Sequence, residues 1–300
     1  MRAVDFFFAL RPLVLVPAWS FFLLGYGVAR ADHGGALPFP GTRLVLLTAV
    51  LVAVYLVNQV IDFESDRING KGLFLQRGIF SRRLYVVVAA ACLLGSLGWA
   101  AARGAGAGLL LAAAVLGLAY SVPPLRLSAR PGLDMLANAA GYGGLALLFG
   151  AEASPPPAAG VWAARVAGAM LAVAAVFLHT TLLDLDGDRR TGKRTTGVAV
   201  GPDAARVGAV GLGVAGAGCA LAARAPALVA GCAAVAVLAL AAALPMRARL
   251  SSRSVCVAGS ATFALAAATS VPAFLPLVAL LALLTRVYYS RRFAVAYPAL

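Results

Sequence analysis

Apolar runs of about 17–25 residues recur along the whole chain, separated by short polar stretches that hold most of the charges. They cover approximately residues 12–29, 43–62, 84–102, 105–120, 133–151, 162–183, 204–223, 226–245, 255–270 and 272–289. None shows the two-residue alternation of a barrel strand. The pattern therefore predicts an all-α, polytopic bundle of membrane-spanning helices with no soluble domain of any size between them. Residues Val271–Pro276 interrupt the last two runs. One helix over residues 255–289 would be ~52 Å long at 1.5 Å per residue, too long for a single crossing. A hairpin is expected there.

Composition agrees with this reading. Hydrophobic residues make up 62% and charged residues 12% of the chain, and the mean hydropathy is +0.92. A soluble domain carries about a quarter charged residues. The many Ala and Gly allow close helix packing, but genomic base bias explains them as well and they receive no functional weight. With the N-terminus inside and ten crossings, twenty basic residues fall inside, among them Arg2, Arg11, Arg82, Arg83, Arg247, Arg249 and Arg253. Only Arg30, Arg43, Arg103, Arg165 and Arg224 fall outside. Positive residues favour the cytoplasmic side, which fixes the orientation. The net charge of +14 is spread over all inside segments. It is read as topology and contact with anionic lipid head groups, not as nucleic-acid binding. The four cysteines (Cys92, Cys219, Cys232 and Cys256) stand alone within apolar runs and read as packing residues. Ala29-Arg30-Ala31 resembles a signal-peptidase site, but the preceding run is longer than a usual signal core, so an uncleaved first helix is expected.

Against this background two short segments are anomalous. Of 11 acidic residues, six lie in Asn58–Asp66 and Asp184–Asp188, each at the end of an apolar run on the cytoplasmic side. An acid in hydrocarbon costs roughly 2.5–3.5 kcal/mol on insertion scales, so such clusters point to function. Asn58, Asp62 and Asp66 are spaced four apart and share a face of a continuing helix. Glu64 falls on the opposite side, solvated or paired with Arg. Asp184 and Asp188 have the same spacing, with Thr180 one turn deeper. Gly187 lets the helix fray, so Asp186 could also turn inward. Facing each other, the two pairs form a four-carboxylate mouth suited to Mg²⁺, which takes one or two carboxylates and completes its shell with water and phosphate. Asp66-Arg67 and Asp188-Arg189-Arg190 add guanidinium groups, and Lys71 and Lys193, the only lysines in the chain, each follow the last Asp of a cluster by five residues. Such cations hold phosphate oxygens and neutralise a leaving group, although any one of them could be an ordinary inside charge.

Three blocks in order then resemble the UbiA superfamily of intramembrane prenyltransferases. They are Asn58-x-x-x-Asp62-x-x-x-Asp66-Arg67-x-Asn69, Tyr120-Ser121-Val122-Pro123-Pro124-Leu125-Arg126-Leu127, and Asp184-x-Asp186-Gly187-Asp188-x-x-x-Gly192-x-x-Thr195 running on to Val200-Gly201. The resemblance covers most of residues 10–250. It implies a single domain of nine family-type transmembrane helices around a central lipid-facing cavity. A tenth, C-terminal helix from about residue 272 looks like an addition. It also implies that a polyprenyl diphosphate binds through Mg²⁺ and that its allylic carbon passes to a hydrophobic or aromatic acceptor. Many relatives continue the first motif with an Arg-Pro-rich segment, whereas this chain reads Gly70-Lys71-Gly72-Leu73-Phe74-Leu75-Gln76-Arg77-Gly78, which leaves the acceptor open.

On this reading Asp62, Asp66, Asp184 and Asp188 hold two Mg²⁺ ions and act in catalysis. Asn58, Arg67, Lys71, Arg126, Arg130, Arg189 and Lys193 bind the diphosphate. Tyr120 stabilises an allylic cation through its ring or contacts diphosphate through its hydroxyl, with an interface-belt tyrosine as the alternative. Asp134 and Asn138 share a face of the fifth span and either contact the acceptor or bond between helices. His179 is a candidate base or a satisfied polar group. The expected location is a bacterial inner membrane with the site mouth cytoplasmic, and no protein partner is called for. A quinone-precursor aromatic is the favoured acceptor. Glycerol-phosphate lipids and internal cyclisation of the prenyl diphosphate remain open within the family. A transporter would put its carboxylates near the midplane, often on broken helices. A phosphotransferase acting on lipid alcohols would show D-G-x-x-A-R, where this chain has Asp186-Gly187-Asp188-Arg189-Arg190-Thr191.

Overall fold

The computed structural model describes residues 3–35, 37–104, 106–152, 159–244 and 250–297. Arg2, Arg247 and Arg249, counted among the inside charges, lie outside the described residues, as do the end of the 226–245 run and the last three residues of the C-terminal segment. Among the described residues the chain is helical and contains no strand. A short α1 (Ala3–Ala9) leads through a 3₁₀ turn (Pro12–Leu15) into α2 (Val16–Asp32) and α3 (Gly41–Ile61). Two short pieces, α4 (Phe63–Ile68) and α5 (Leu73–Gln76), precede the long α6 (Arg82–Arg103) and α7 (Ala107–Ser121). The fifth run is composite: α8 (Leu133–Asn138), a π-helical stretch (Ala139–Ala146) and α9 (Leu147–Ala151). The second half repeats the plan with α10 (Ala159–Leu183), short α11 (Leu185–Arg190) and α12 (Thr196–Val200), then α13 (Pro202–Ala222), α14 (Pro226–Ala243), α15 (Ser252–Ala268) and α16 (Phe274–Phe293).

All ten apolar runs are thus helical, and a turn separates α15 from α16 as the hairpin reading requires. Among the described residues seven helices are long and apolar enough to cross a membrane, and Ala107–Ser121 is shorter. Side-chain caps set several starts. Ser81 accepts from Leu84 N at the start of α6 (3.1 Å), and Ser251 accepts from Ser254 N at the start of α15 (3.0 Å). Proline occupies the first turn of α13 and α14, where its missing N–H costs nothing.

The helices close a ring. α2 packs on α9 and the π stretch, which packs on α10; α10 packs on α13, α13 on α14, α14 on α15, and α15 returns to α2. α3 packs on α6 and α7 to complete the other wall. Outward positions stay apolar: Leu94 is 75% exposed, and Val45 and Leu221 are 68% exposed. Water would not tolerate so much uncovered hydrocarbon, whereas lipid would. The chain is a multi-pass integral membrane protein. At the end of the bundle away from the acidic clusters, Arg165 pairs with Asp32 at 2.5 Å.

Two glycines let α2 and α9 touch backbone to backbone. A Cβ on Gly25 would stand 1.9 Å from the Leu147 carbonyl oxygen, and one on Gly150 would stand 1.9 Å from that of Phe22. Close approach of this kind is what small residues provide where lipid supplies no hydrophobic drive. Gly150→Val should therefore overpack the ring at a cost of about 1–3 kcal/mol. The expected result is a lower unfolding midpoint in detergent, while Gly98→Ala, where a Cβ meets open space, leaves the midpoint unchanged or raised.

Candidate active site

The acidic clusters begin where two long helices bend. At Asp62 the backbone departs from helical values (φ −88°, ψ 18°), and at Asp184 it does so again (φ −103°, ψ 3°). The i to i+4 bonding nevertheless runs through both bends. Asp62 N donates to Asn58 O and Asp66 N to Asp62 O, each at 2.8 Å, and Asp188 N donates to Asp184 O at 2.9 Å. The four-residue phasing therefore survives. Asn58, Asp62, Asp66, Tyr120, Asp184 and Asp188 all line one inner cavity of about 110 Å³. Ligand pockets usually span roughly 300–1,000 Å³, so this polar chamber has room for a head group alone.

Each short helix then ends in the same turn. Gly70 (φ 68°) and Gly192 (φ 71°) take the left-handed conformation after α4 and α11. Lys71 N closes on Asp66 O at 2.7 Å and Gly70 N on Arg67 O at 3.3 Å. In the second half Lys193 N closes on Asp188 O at 2.8 Å and Gly192 N on Arg189 O at 3.2 Å. This is a Schellman termination, and it explains why each lysine follows its last Asp by five residues.

The lysines reach across to the opposite cluster. Lys71 Nζ bonds Asp184 Oδ1. Lys193 Nζ donates to Asp62 Oδ2 at 3.0 Å and stands 4.0 Å from Asp188 Oδ1. Asp62 also receives Asn58 Nδ2 (3.0 Å) and Arg126 Nη2 (3.4 Å). Asn69 Oδ1 accepts from Gly187 N at 3.1 Å, and any Cβ at 187 would fall 2.4 Å from the Asn69 amide nitrogen. Gly187 thus admits the first cluster against the second. Asp186 points outward and is exposed. Burial pushes the Asp188 carboxyl up to about 6 despite Lys193 beside it. Burial also raises Asp66, opposed by Arg11 and Lys71. For Lys193 burial favours the neutral amine, but Asp62 and Asp188 outweigh it and hold the ammonium.

Not every expected group enters this chamber. Arg67, expected on the diphosphate, lies on the exposed side instead, paired with Glu64 at 2.9 Å; of the two fates open to Glu64, solvent or an Arg, the structure has the second. Together with Arg126 and Arg190 it rims an outer depression of about 470 Å³ that shares Asp62 and Ser65 with the inner one. Arg130 donates to Pro124 O at 2.9 Å, and Arg189 is exposed. Asp134 serves as a structural staple, because both its oxygens accept from Thr196, through N at 2.7 Å and through Oγ1. Asn138 donates to Asp134 O at 3.0 Å. His179 turns toward α15, with Nδ1 3.3 Å from Ser252 Oγ, and does not line the chamber. Conversely, Arg11 and Ser65 line the chamber without having been singled out for it. Arg11 precedes the first span and was legible only as an inside charge.

The donor set can be tested against a divalent ion. Among the described residues no group of three Asp, Glu, His or Cys side chains is gathered closely enough to hold a metal ion by itself. The chamber does offer hard oxygen donors, and Asp66 Oδ2 is buried without a hydrogen-bond partner. Mg²⁺ takes one or two carboxylates and shares the rest of its shell with phosphate and water, so the residues fit it.

The sequence matches the UbiA prenyltransferase family over residues 18–254. The fold is similar to the structure of a UbiA homolog from Archaeoglobus fulgidus, with a TM-score of 0.71 at 20% identity, covering 90% of this chain and 99% of that one. The same homolog bound to GPP and Mg²⁺ gives a TM-score of 0.69 at 22% identity, over 89% of this chain and 98% of that one. A structure described as digeranylgeranylglyceryl phosphate synthase in membranes gives 0.60 at 14% identity, over 95% and 97%. No curated protein matches the sequence significantly. Three ordered motifs, a helical ring around their carboxylates and a sequence match over most of the chain lead to one statement: this chain belongs to the UbiA prenyltransferase family.

Proposed function

We propose that the protein transfers the prenyl group of a polyprenyl diphosphate to an aromatic quinone precursor, such as 4-hydroxybenzoate or 1,4-dihydroxy-2-naphthoate, in a Mg²⁺-dependent reaction that releases pyrophosphate. The observation that carries this reading is the convergence of Asp62, Asp66, Asp184, Asp188, Lys71 and Lys193 on one polar chamber inside an apolar bundle. Asp62 and Asp66 from one half and Asp184 and Asp188 from the other hold the metal. When bound, Mg²⁺ draws negative charge from the diphosphate as the allylic C–O bond breaks. Both electrons of that bond leave with pyrophosphate, and the allylic carbon bonds to the acceptor, which gives up a proton. Lys71 and Lys193 stand on the chamber wall and offer ammonium groups to the leaving oxygens. Tyr120 lines the same chamber, and its ring favours the allylic cation. Arg126 holds Asp62 in place, and the outer arginines Arg67 and Arg190 gather anionic groups at the mouth.

A second acceptor class, the glycerol-phosphate lipids, is favoured by the fold likeness to digeranylgeranylglyceryl phosphate synthase. The charge distribution supports a cytoplasmic mouth and N-terminus in a bacterial inner membrane.

Purified protein should release pyrophosphate from geranylgeranyl diphosphate only with Mg²⁺ present, and Asp62→Ala or Asp184→Ala should lower the rate by on the order of 10²-fold or more. Undiminished turnover of both variants in EDTA would overturn the metal assignment. Incubation with aromatic and glycerol-phosphate acceptors, read by mass spectrometry, should yield a prenylated aromatic; a prenylated glycerol phosphate alone would shift the assignment to the second class. Single cysteines in 63–83 and 184–206 should label from the cytoplasmic side in intact cells, and labelling from opposite sides would break the shared site.

A further inference from the structure

The first and last helices, α1 and α16, meet beside the inner chamber. Asp5 on α1 is completely buried. Its carboxylate accepts from the Tyr288 hydroxyl at 2.5 Å and from Arg292 Nε and Nη2 at 3.2 and 3.4 Å, both on α16. Phe8, one turn along α1, stacks on Tyr288 with ring centroids 4.0 Å apart and planes 15° apart. Phe74 of α5 closes the cluster edge-on to Phe293 at 5.2 Å. A buried carboxylate with dedicated partners contributes little net stability, and what it offers is a defined arrangement.

What that arrangement defines is the position of Arg11, two residues past the end of α1. Arg11 has φ 55°, a conformation uncommon outside glycine, with its N–H on Phe8 O at 3.1 Å and Pro12 directly after it. Its side chain lines the inner chamber with Asp66 and Asp184. Tyr297, beyond α16, packs its ring 4.7 Å from Tyr289 and lies beside the Arg11 guanidinium. Asp5, Arg11, Tyr288, Arg292 and Tyr297 all lie outside the matched residues 18–254, so none of these five residues belongs to the three family motifs. A guanidinium held at the chamber wall suits diphosphate oxygens, which it meets through paired N–H groups.

We propose that the Asp5–Tyr288–Arg292 clasp is a positioning device for the active site: by fixing α1 against the C-terminal helix it delivers Arg11 to the leaving diphosphate. The inference rests on the prenyl-diphosphate reading above. Asp5, Tyr288 and Arg292 touch no substrate and act through Arg11, which gives the C-terminal helix a part in the site.

The test is a double-mutant cycle on the full chain in detergent, reading affinity for geranyl diphosphate and for inorganic pyrophosphate by calorimetry with Mg²⁺ present. Tyr288→Phe, Asp5→Asn and Arg11→Gln should each weaken both ligands by about five- to tenfold. Tyr288→Phe combined with Arg11→Gln should bind no more weakly than Arg11→Gln alone, because the clasp works through that residue. A purely structural clasp would lower the melting temperature and give additive losses, which would overturn the proposal. If Asp5→Asn does not fold, Tyr288→Phe, which removes a single oxygen, decides the matter; an affinity within about twofold of wild type would sink it. Wild-type protein that binds neither ligand would instead overturn the prenyltransferase reading itself.

Discussion

Carboxylates at the edge of a hydrocarbon layer need counter-charge, and here two lysines supply it across the halves of the chain. Lys71 belongs to the first acidic cluster and binds Asp184 of the second; Lys193 belongs to the second and binds Asp62 of the first. The exchange ties α4 to α11 around the polar chamber. Buried ion pairs of this sort seldom raise net stability over an apolar alternative, since desolvation offsets the attraction. Their worth is in specifying a single docking of the halves. Asn69 against Gly187 is the steric counterpart, a contact available only because residue 187 has no Cβ. Removal of a lysine would leave its carboxylates partly unpaired at low dielectric, so the chamber, the docking and the charge balance stand together.

How the chain reaches this arrangement is largely local. Helical bonding continues through the bends at Asp62 and Asp184, which keeps each pair of acids on one face, and a left-handed glycine then turns each lysine away from its own helix. Two segments far apart in sequence use the same device. The outcome is a cavity whose walls alternate in sign: acids that suit a divalent ion, beside cations that suit the phosphates sharing it.

Much of this was legible in the sequence. The described residues of the apolar runs are helical, the phasing of Asn58, Asp62 and Asp66 carried through, and Glu64 fell on the outer side against Arg67. Other features were hidden for identifiable reasons. The π stretch at Ala139–Ala146 is written in Ala, Gly, Tyr and Leu, which hold no signal of helix phase. Asp134 and Asn138 share a face, but the partner of Asp134 is Thr196, 62 residues away, and spacing cannot announce it. The lysines were legible as a matched pair, while their crossing to the opposite cluster depends on tertiary docking. Arg11 was masked by the rule that oriented the chain, since a basic residue before a first span needs no further reason to be there.

The crossed lysines also bear on how the protein is made. Lys71 and Asp184 are 113 residues apart, and Asp62 and Lys193 are 131 apart. A ribosome therefore releases Asp62 into the membrane long before its lysine exists, with Arg126, 3.4 Å from Asp62, the earlier made of the two cations that pair with it. Until residue 193 has emerged, Asp62 lacks its lysine, and the first half waits in the lipid as an incomplete electrostatic object. The pairing of Asp62 with Lys193 is thus complete only when the second half has been inserted and docked.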